Sequence, residues 1–112
     1  VVCATTGFTS EATPTVYYEV TNAKATIYIP TISASASDAT AFTIATLPAE
    51  VAPSYAVIYG PLIAYDNSAY IYTANLSIAT TGVITLYATA GAGGWTASNN
   101  KGLNAVTLSY LL

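Results

Sequence analysis

Short runs of alternating apolar and polar residues, broken by turn-forming residues roughly every ten positions, dominate this chain and restrict it to β architecture. In residues 13–21, Val16, Tyr18 and Val20 fall on one face and Thr15, Tyr17 and Glu19 on the other. Asn22-Ala23-Lys24 reads as a short turn into residues 25–30, where Ile27 and Ile29 point inward and Pro30 ends the ladder. These two runs predict a hairpin. Residues 31–39 are small and polar and read as a loop; residues 40–47 follow as a strand with Phe42 and Ile44 as core candidates. Residues 54–65 form a long apolar run broken by Gly60-Pro61, which predicts a bulge or bend. Asp66-Asn67-Ser68 is a turn, residues 69–78 alternate, and Thr80-Thr81-Gly82 turns the chain into residues 83–89. Residues 90–102 read as a Gly-rich loop, and the last strand, residues 103–112, places Val106, Leu108, Tyr110 and Leu112 on one face. Residues 1–5 are a further candidate strand.

The expected fold is all-β: an antiparallel β-sandwich or jelly roll of about seven to eight strands, because turns at this spacing leave no room for βαβ units. The residue choice agrees. Thr, Val, Ile and ten Tyr suit a pleated, half-buried surface, and long stripes of helix formers are missing. At 112 residues the chain makes a single domain, residues 1–112, and buries roughly 65% of its unfolded surface without disulfides or metals. It begins with Val1 and shows no signal-peptide pattern, and is expected to be either processed or a piece of something longer.

Charge narrows the function. Only 6% of residues are charged, against about 25% in an average domain. Lys24 and Lys101 are the whole cationic complement, so no nucleic-acid partner is expected; phosphate binding needs clustered Lys and Arg. The mean hydropathy of +0.53 comes largely from scattered Ala. No run reaches the roughly 18 apolar residues of a spanning helix, so membrane insertion is not expected either.

The residues also argue against catalysis. The chain has no His and a lone Cys3, which removes Ser/His and Cys/His triads and structural zinc sites. Cys3 reads as a small buried hydrophobe or as a reactive or intermolecular thiol. Glu11, Asp38, Glu50 and Asp66 sit in turns and Glu19 faces outward, which does not suit a pair of carboxyl groups flanking a glycosidic bond. Gly91-Ala92-Gly93-Gly94 lacks the Lys-Ser/Thr and helix of a phosphate loop, Asn75-Leu76-Ser77 is a glycosylation triplet inside a strand, and Asp66-Asn67-Ser68 is no calcium loop. The chain is expected to be no enzyme and to carry no cofactor or metal.

Aromatic and amide side chains remain. Trp95, the single Trp, lies in the Gly-rich loop, where it either stacks on a sugar face or folds back as a plug over the sandwich end. Outward Tyr17, Tyr28 and Tyr87 suit a glycan site or an interface, since Tyr joins apolar area to a polar tip. The candidate ligand-binding set comprises Trp95, Tyr65, Asp66, Asn67, Asn99 and Asn100, on the two loops 65–68 and 95–101.

The order of motifs resembles the small C-terminal β-sandwich domains of bacteriophage tail fibres and tailspikes. The residues that carry the resemblance are Val16-Tyr17-Tyr18-Glu19-Val20, Ala25-Thr26-Ile27-Tyr28-Ile29-Pro30, and Asp38-Ala39-Thr40-Ala41-Phe42-Thr43-Ile44 running to Leu47-Pro48 and Pro53. Asp66-Asn67-Ser68, Thr81-Gly82-Val83-Ile84-Thr85-Leu86-Tyr87, Trp95-Thr96-Ala97-Ser98 and Lys101-Gly102-Leu103 complete it. The chain departs at Asn22-Ala23-Lys24, where such domains often show a Gly-containing turn. The resemblance implies a homotrimeric tip domain on a virion, the C-terminal part of a longer chain, acting outside the cell, that binds host-surface glycan or locks the trimer. Two other classes fit the same surface: a pilin-like or S-layer-like structural subunit of a filament or shell, and an accessory carbohydrate-binding module of an enzyme.

Overall fold

A computed structural model describes residues 15–34, 42–91, 94–96 and 101–112. Its strands are β1 (Tyr17–Thr21), β2 (Lys24–Ile29), β3 (Ile32–Ala34), β4 (Phe42–Thr46), β5 (Val57–Asp66), β6 (Ala69–Ile78), β7 (Val83–Tyr87), β8 (Lys101–Leu103) and β9 (Val106–Leu111). One sheet has the order β1-β2-β9 and the other β3-β8-β5-β6-β7-β4. Every pairing is antiparallel. The alternation therefore predicts the class: the chain is an all-β, sandwich-like fold whose larger sheet curls as a half-barrel. The candidate strand at residues 1–5, Cys3, Glu11, Asp38 and the Phe42 side chain lie outside the described residues.

Nine strands are present among the described residues, against the expected seven to eight. The difference lies in β3 and β8, three residues each: β3 falls in a stretch that reads as a loop, and β8 joins the end of the Gly-rich stretch to Leu103, the expected start of a last strand that breaks at Asn104-Ala105. A run that short shows no period. These strands exist because they pair with one another, Ile32 opposite Leu103 and Ser33 opposite Gly102. Gly102 permits the approach: a Cβ there would stand 2.2 Å from the Ile32 carbonyl oxygen.

Two hairpins turn on residues in the left-handed region. Asn22 and Ala23 (φ 52° and 59°) join β1 to β2, and Asn67 and Ser68 (φ 51° and 59°) join β5 to β6. Positive φ at both central residues is the type I′ pattern, whose twist matches the flanking strands.

Bulges curl the larger sheet. Along β5–β6 the register shifts between Tyr59 and Leu62 and shifts back between Leu62 and Ala64. The first irregularity adds a residue to β5 at Gly60-Pro61, as those residues predict; the second adds one to β6 at Tyr72-Thr73. A single extra residue would turn every later side chain to the other face. The opposed pair restores the register, and Leu76, Ala74 and Ala64 are all buried in the core. β8 reaches only Ala64 and Tyr65 of β5, which leaves Pro61 beside a free edge where its missing N–H removes no ladder bond.

One core joins the sheets. Ala25, Ile27, Ile29, Leu108 and Tyr110 of the smaller sheet meet Ile44, Leu76, Ile78, Ile84 and Leu86 of the larger. Each buried Ile or Leu contributes on the order of 1.5–3 kcal/mol. Two tyrosine hydroxyls tie the layers: Tyr59 of β5 donates to the Ser109 carbonyl on β9, and Tyr110 of β9 donates to the Val51 carbonyl (2.5 Å). Val51 closes a 3-10 turn, Ala49–Val51. The core stops at β2. Val16 is buried as its face predicts, but Tyr18 and Val20, opposite buried Ile27 and Ala25, stay exposed with the rest of β1. Among the described residues no helix is long and apolar enough to cross a membrane.

Candidate functional site

The two loops singled out in the sequence do meet, through a tie built on Asp66. Asp66 ends β5, directly before the Asn67-Ser68 turn, and Lys101 begins β8. The Asp66 Oδ2 accepts hydrogen bonds from the Thr96 backbone N–H (3.2 Å) and hydroxyl (2.9 Å). Its Oδ1 lies 4.0 Å from Lys101 Nζ. The Lys101 side chain is 0% exposed and that of Asp66 11%. Oδ1 is buried and accepts no hydrogen bond among the described residues. An opposite charge inside a low-dielectric region is what allows either group to stay there.

Trp95 is 4% exposed, and its indole N–H donates to the Leu86 carbonyl on β7 (3.0 Å). It therefore takes the plug role rather than presenting a face to a sugar. A ring covered on both sides has no surface left to stack. Tyr65 is half-buried and packs edge-to-face on Tyr70, its cross-strand neighbour, with ring centroids 4.7 Å apart. Asn67 is exposed on the turn. Asn99 and Asn100 lie outside the described residues. Of the sequence-derived set, Asp66 and Trp95 are structural ties, and Tyr65 and Asn67 stand at the surface.

Beside Tyr65 lies a recess of about 240 Å³, lined in part by Thr31, Ser33, Tyr70, Lys101 and Asn104. Tyr70, at 58% exposure, forms its aromatic rim. Two long-range bonds hold the opposite wall: the Asn104 N–H donates to the Ile63 carbonyl (3.1 Å), and the Ala105 N–H to Thr31 Oγ1 (3.2 Å). Sequence reasoning missed Tyr70, Thr31, Ser33 and Asn104, because their nearness follows from the β3–β8–β5 pairing. Lys101 left a signal: as one of two cations in a nearly uncharged chain, it has only a few acids to pair with.

The exposed surface elsewhere is tyrosine-rich. Tyr17 and Tyr28 face each other across β1 and β2 (centroids 6.2 Å), while Tyr72, Ile58 and Ile63 stand out from β5 and β6. Among the described residues no cluster of three or more His, Cys, Asp or Glu is arranged to hold a metal. Compared with protein-family models and with curated proteins, the sequence matches none of them.

Proposed function

We propose that this chain is a non-catalytic tip domain of a bacteriophage tail fibre or tailspike, assembling as a homotrimer on the virion and binding host-surface glycan. The observation that carries the reading is the exposed, nearly uncharged aromatic surface on both sheets: Tyr17, Tyr18 and Tyr28 on one, Tyr70, Tyr72, Ile58 and Ile63 on the other. Scattered apolar residues are ordinary, but grouped ones mark interaction sites, and Tyr17 packs on Tyr28 as Tyr70 packs on Tyr65. Tyr buries wide area at little entropic cost and keeps a hydroxyl for polar partners. Few charges are there to keep separate copies apart. Asp66, next to Tyr65 in the chain, is committed to Thr96 and Lys101, and the described lining of the recess holds no acid, which favours binding over chemistry.

Sedimentation of the purified chain at micromolar concentration tests the reading. A trimer of 11.5 kDa chains is the expected species. A stable monomer would overturn it in favour of an accessory carbohydrate-binding module, and open-ended polymers in favour of a filament or shell subunit.

A further inference from the structure

We propose that the recess between β3, β8 and the Tyr65–Tyr70 pair binds a single neutral saccharide ring; this deepens, and rests on, the glycan-binding reading. Three properties of the recess lead there.

The first is its wall chemistry. Tyr70 keeps more than half of its surface in solvent at the rim, where an aromatic ring can cover the apolar C–H face of a pyranose. Across from it stand the Ser33 and Thr31 hydroxyls and the Asn104 amide. A sugar hydroxyl both donates and accepts, and this trio offers both. Thr31 Oγ1 already accepts the Ala105 N–H, so its own hydrogen is left to donate. The bonds from Ala105 to Thr31 and from Asn104 to Ile63 hold that wall in place before any ligand arrives, which lowers the ordering cost of binding.

The second is size. A volume of about 240 Å³ falls below the range of roughly 300–1,000 Å³ typical of sites for drug-sized ligands. One ring fits, with the remainder of a chain running outward.

Charge is the third. The Lys101 side chain is fully buried and faces Asp66. Lys24, the other cation, lies on β2 in the opposite sheet. The lining holds no acid, and its one cation, Lys101, has its side chain buried against Asp66, so among the described residues a carboxylated or phosphorylated sugar would meet no exposed counter-charge to offset its desolvation. The recess therefore selects neutral sugars over acidic ones.

Amide NMR of the intact chain tests this. The neutral probes are the methyl glycosides of glucose, galactose, mannose and N-acetylglucosamine; glucuronate and N-acetylneuraminate are the acidic probes. At least one neutral probe should shift the amides of Ser33, Gly102, Leu103 and Asn104 saturably, with a Kd of the order of ~1 mM. The acidic probes should bind at least tenfold more weakly. Tyr70→Ala and Asn104→Ala, both at exposed positions, should each weaken binding by tenfold or more, and Tyr55→Ala, at an exposed tyrosine before β5 and outside the recess, should leave it unchanged. Shifts confined to other residues, equal binding of the acidic probes, or full binding by both Tyr70→Ala and Asn104→Ala would overturn the proposal. Sedimentation of the same samples separates the two levels: no sugar binding by an intact trimer rejects the recess alone, whereas a monomer that binds no sugar rejects the tip-domain reading with it.

Discussion

Lys101 Nζ stands 4.0 Å from Asp66 Oδ1, a buried oxygen that accepts no hydrogen bond among the described residues. The pair fastens β8 to the end of β5 and, through Thr96, holds the segment that carries Trp95.

Removing one member should be far worse than removing both. Lys101→Met leaves a buried carboxylate without its counter-charge and should lower stability by about 3–5 kcal/mol. Asp66→Asn combined with Lys101→Met should recover part of that loss, since a neutral amide still accepts from Thr96. Urea titrations of the two single variants and the double variant give the coupling energy directly. Additive effects would show that the two charges do not interact.

Trp95 should prove structural. Trp95→Ala removes a buried indole and should cost about 3–5 kcal/mol. Trp95→Phe, which keeps much of the ring but leaves the Leu86 carbonyl without its donor, should cost about 1–3 kcal/mol. Thermal melts followed by circular dichroism check both. An unchanged melting temperature for Trp95→Ala would restore the indole as a surface group.

The β1–β2 turn holds a correctable strain. Ala23 sits at φ 59°, a left-handed conformation that costs an ordinary residue about 1–2 kcal/mol and glycine almost nothing. Ala23→Gly should raise stability by up to about 1 kcal/mol, because glycine's greater freedom in the unfolded chain takes back part of the gain. The denaturation midpoint should move up without a change in slope. A lower midpoint would contradict the turn geometry.

Alkali should unfold the protein through Tyr59 and Tyr110. Burial raises the pKa of Tyr59; burial first, and the nearby Tyr59 second, raise that of Tyr110. In the unfolded chain both titrate near ~10. Above that pH the unfolded state has given up protons that the folded state keeps, so stability declines as pH rises. It is fully present below the unfolded value and is lost as pH climbs through the raised folded values. Urea midpoints should therefore fall as pH rises above about 10. The Tyr59→Phe/Tyr110→Phe double variant should be weaker at neutral pH, having lost two hydrogen bonds worth about 1 kcal/mol each, and should show a shallower alkaline decline. An alkaline decline as steep as that of the unaltered chain would exclude these two phenols as its source.

Much of the fold was legible in the sequence because a strand declares itself locally. Ala69–Ile78 is one strand, alternating from Ala74 to Ile78 beyond its bulge at Tyr72-Thr73, Ile84 and Leu86 are buried opposite half-buried Val83, Thr85 and Tyr87, and Gly60-Pro61 marks a real bulge. Period, β-branching and turn chemistry act between residues a few positions apart. What tertiary structure alone decided is who meets whom. Ile32 pairs with Leu103, Asp66 with Lys101, and Trp95 with Leu86, and no local rule connects these residues. For the same reason Trp95, read as a candidate contact, lies covered, while Tyr70, read as an ordinary strand residue, rims the recess. Alternation sets which side of a strand a residue faces; whether that side meets core, recess or solvent depends on what the rest of the chain lays over it.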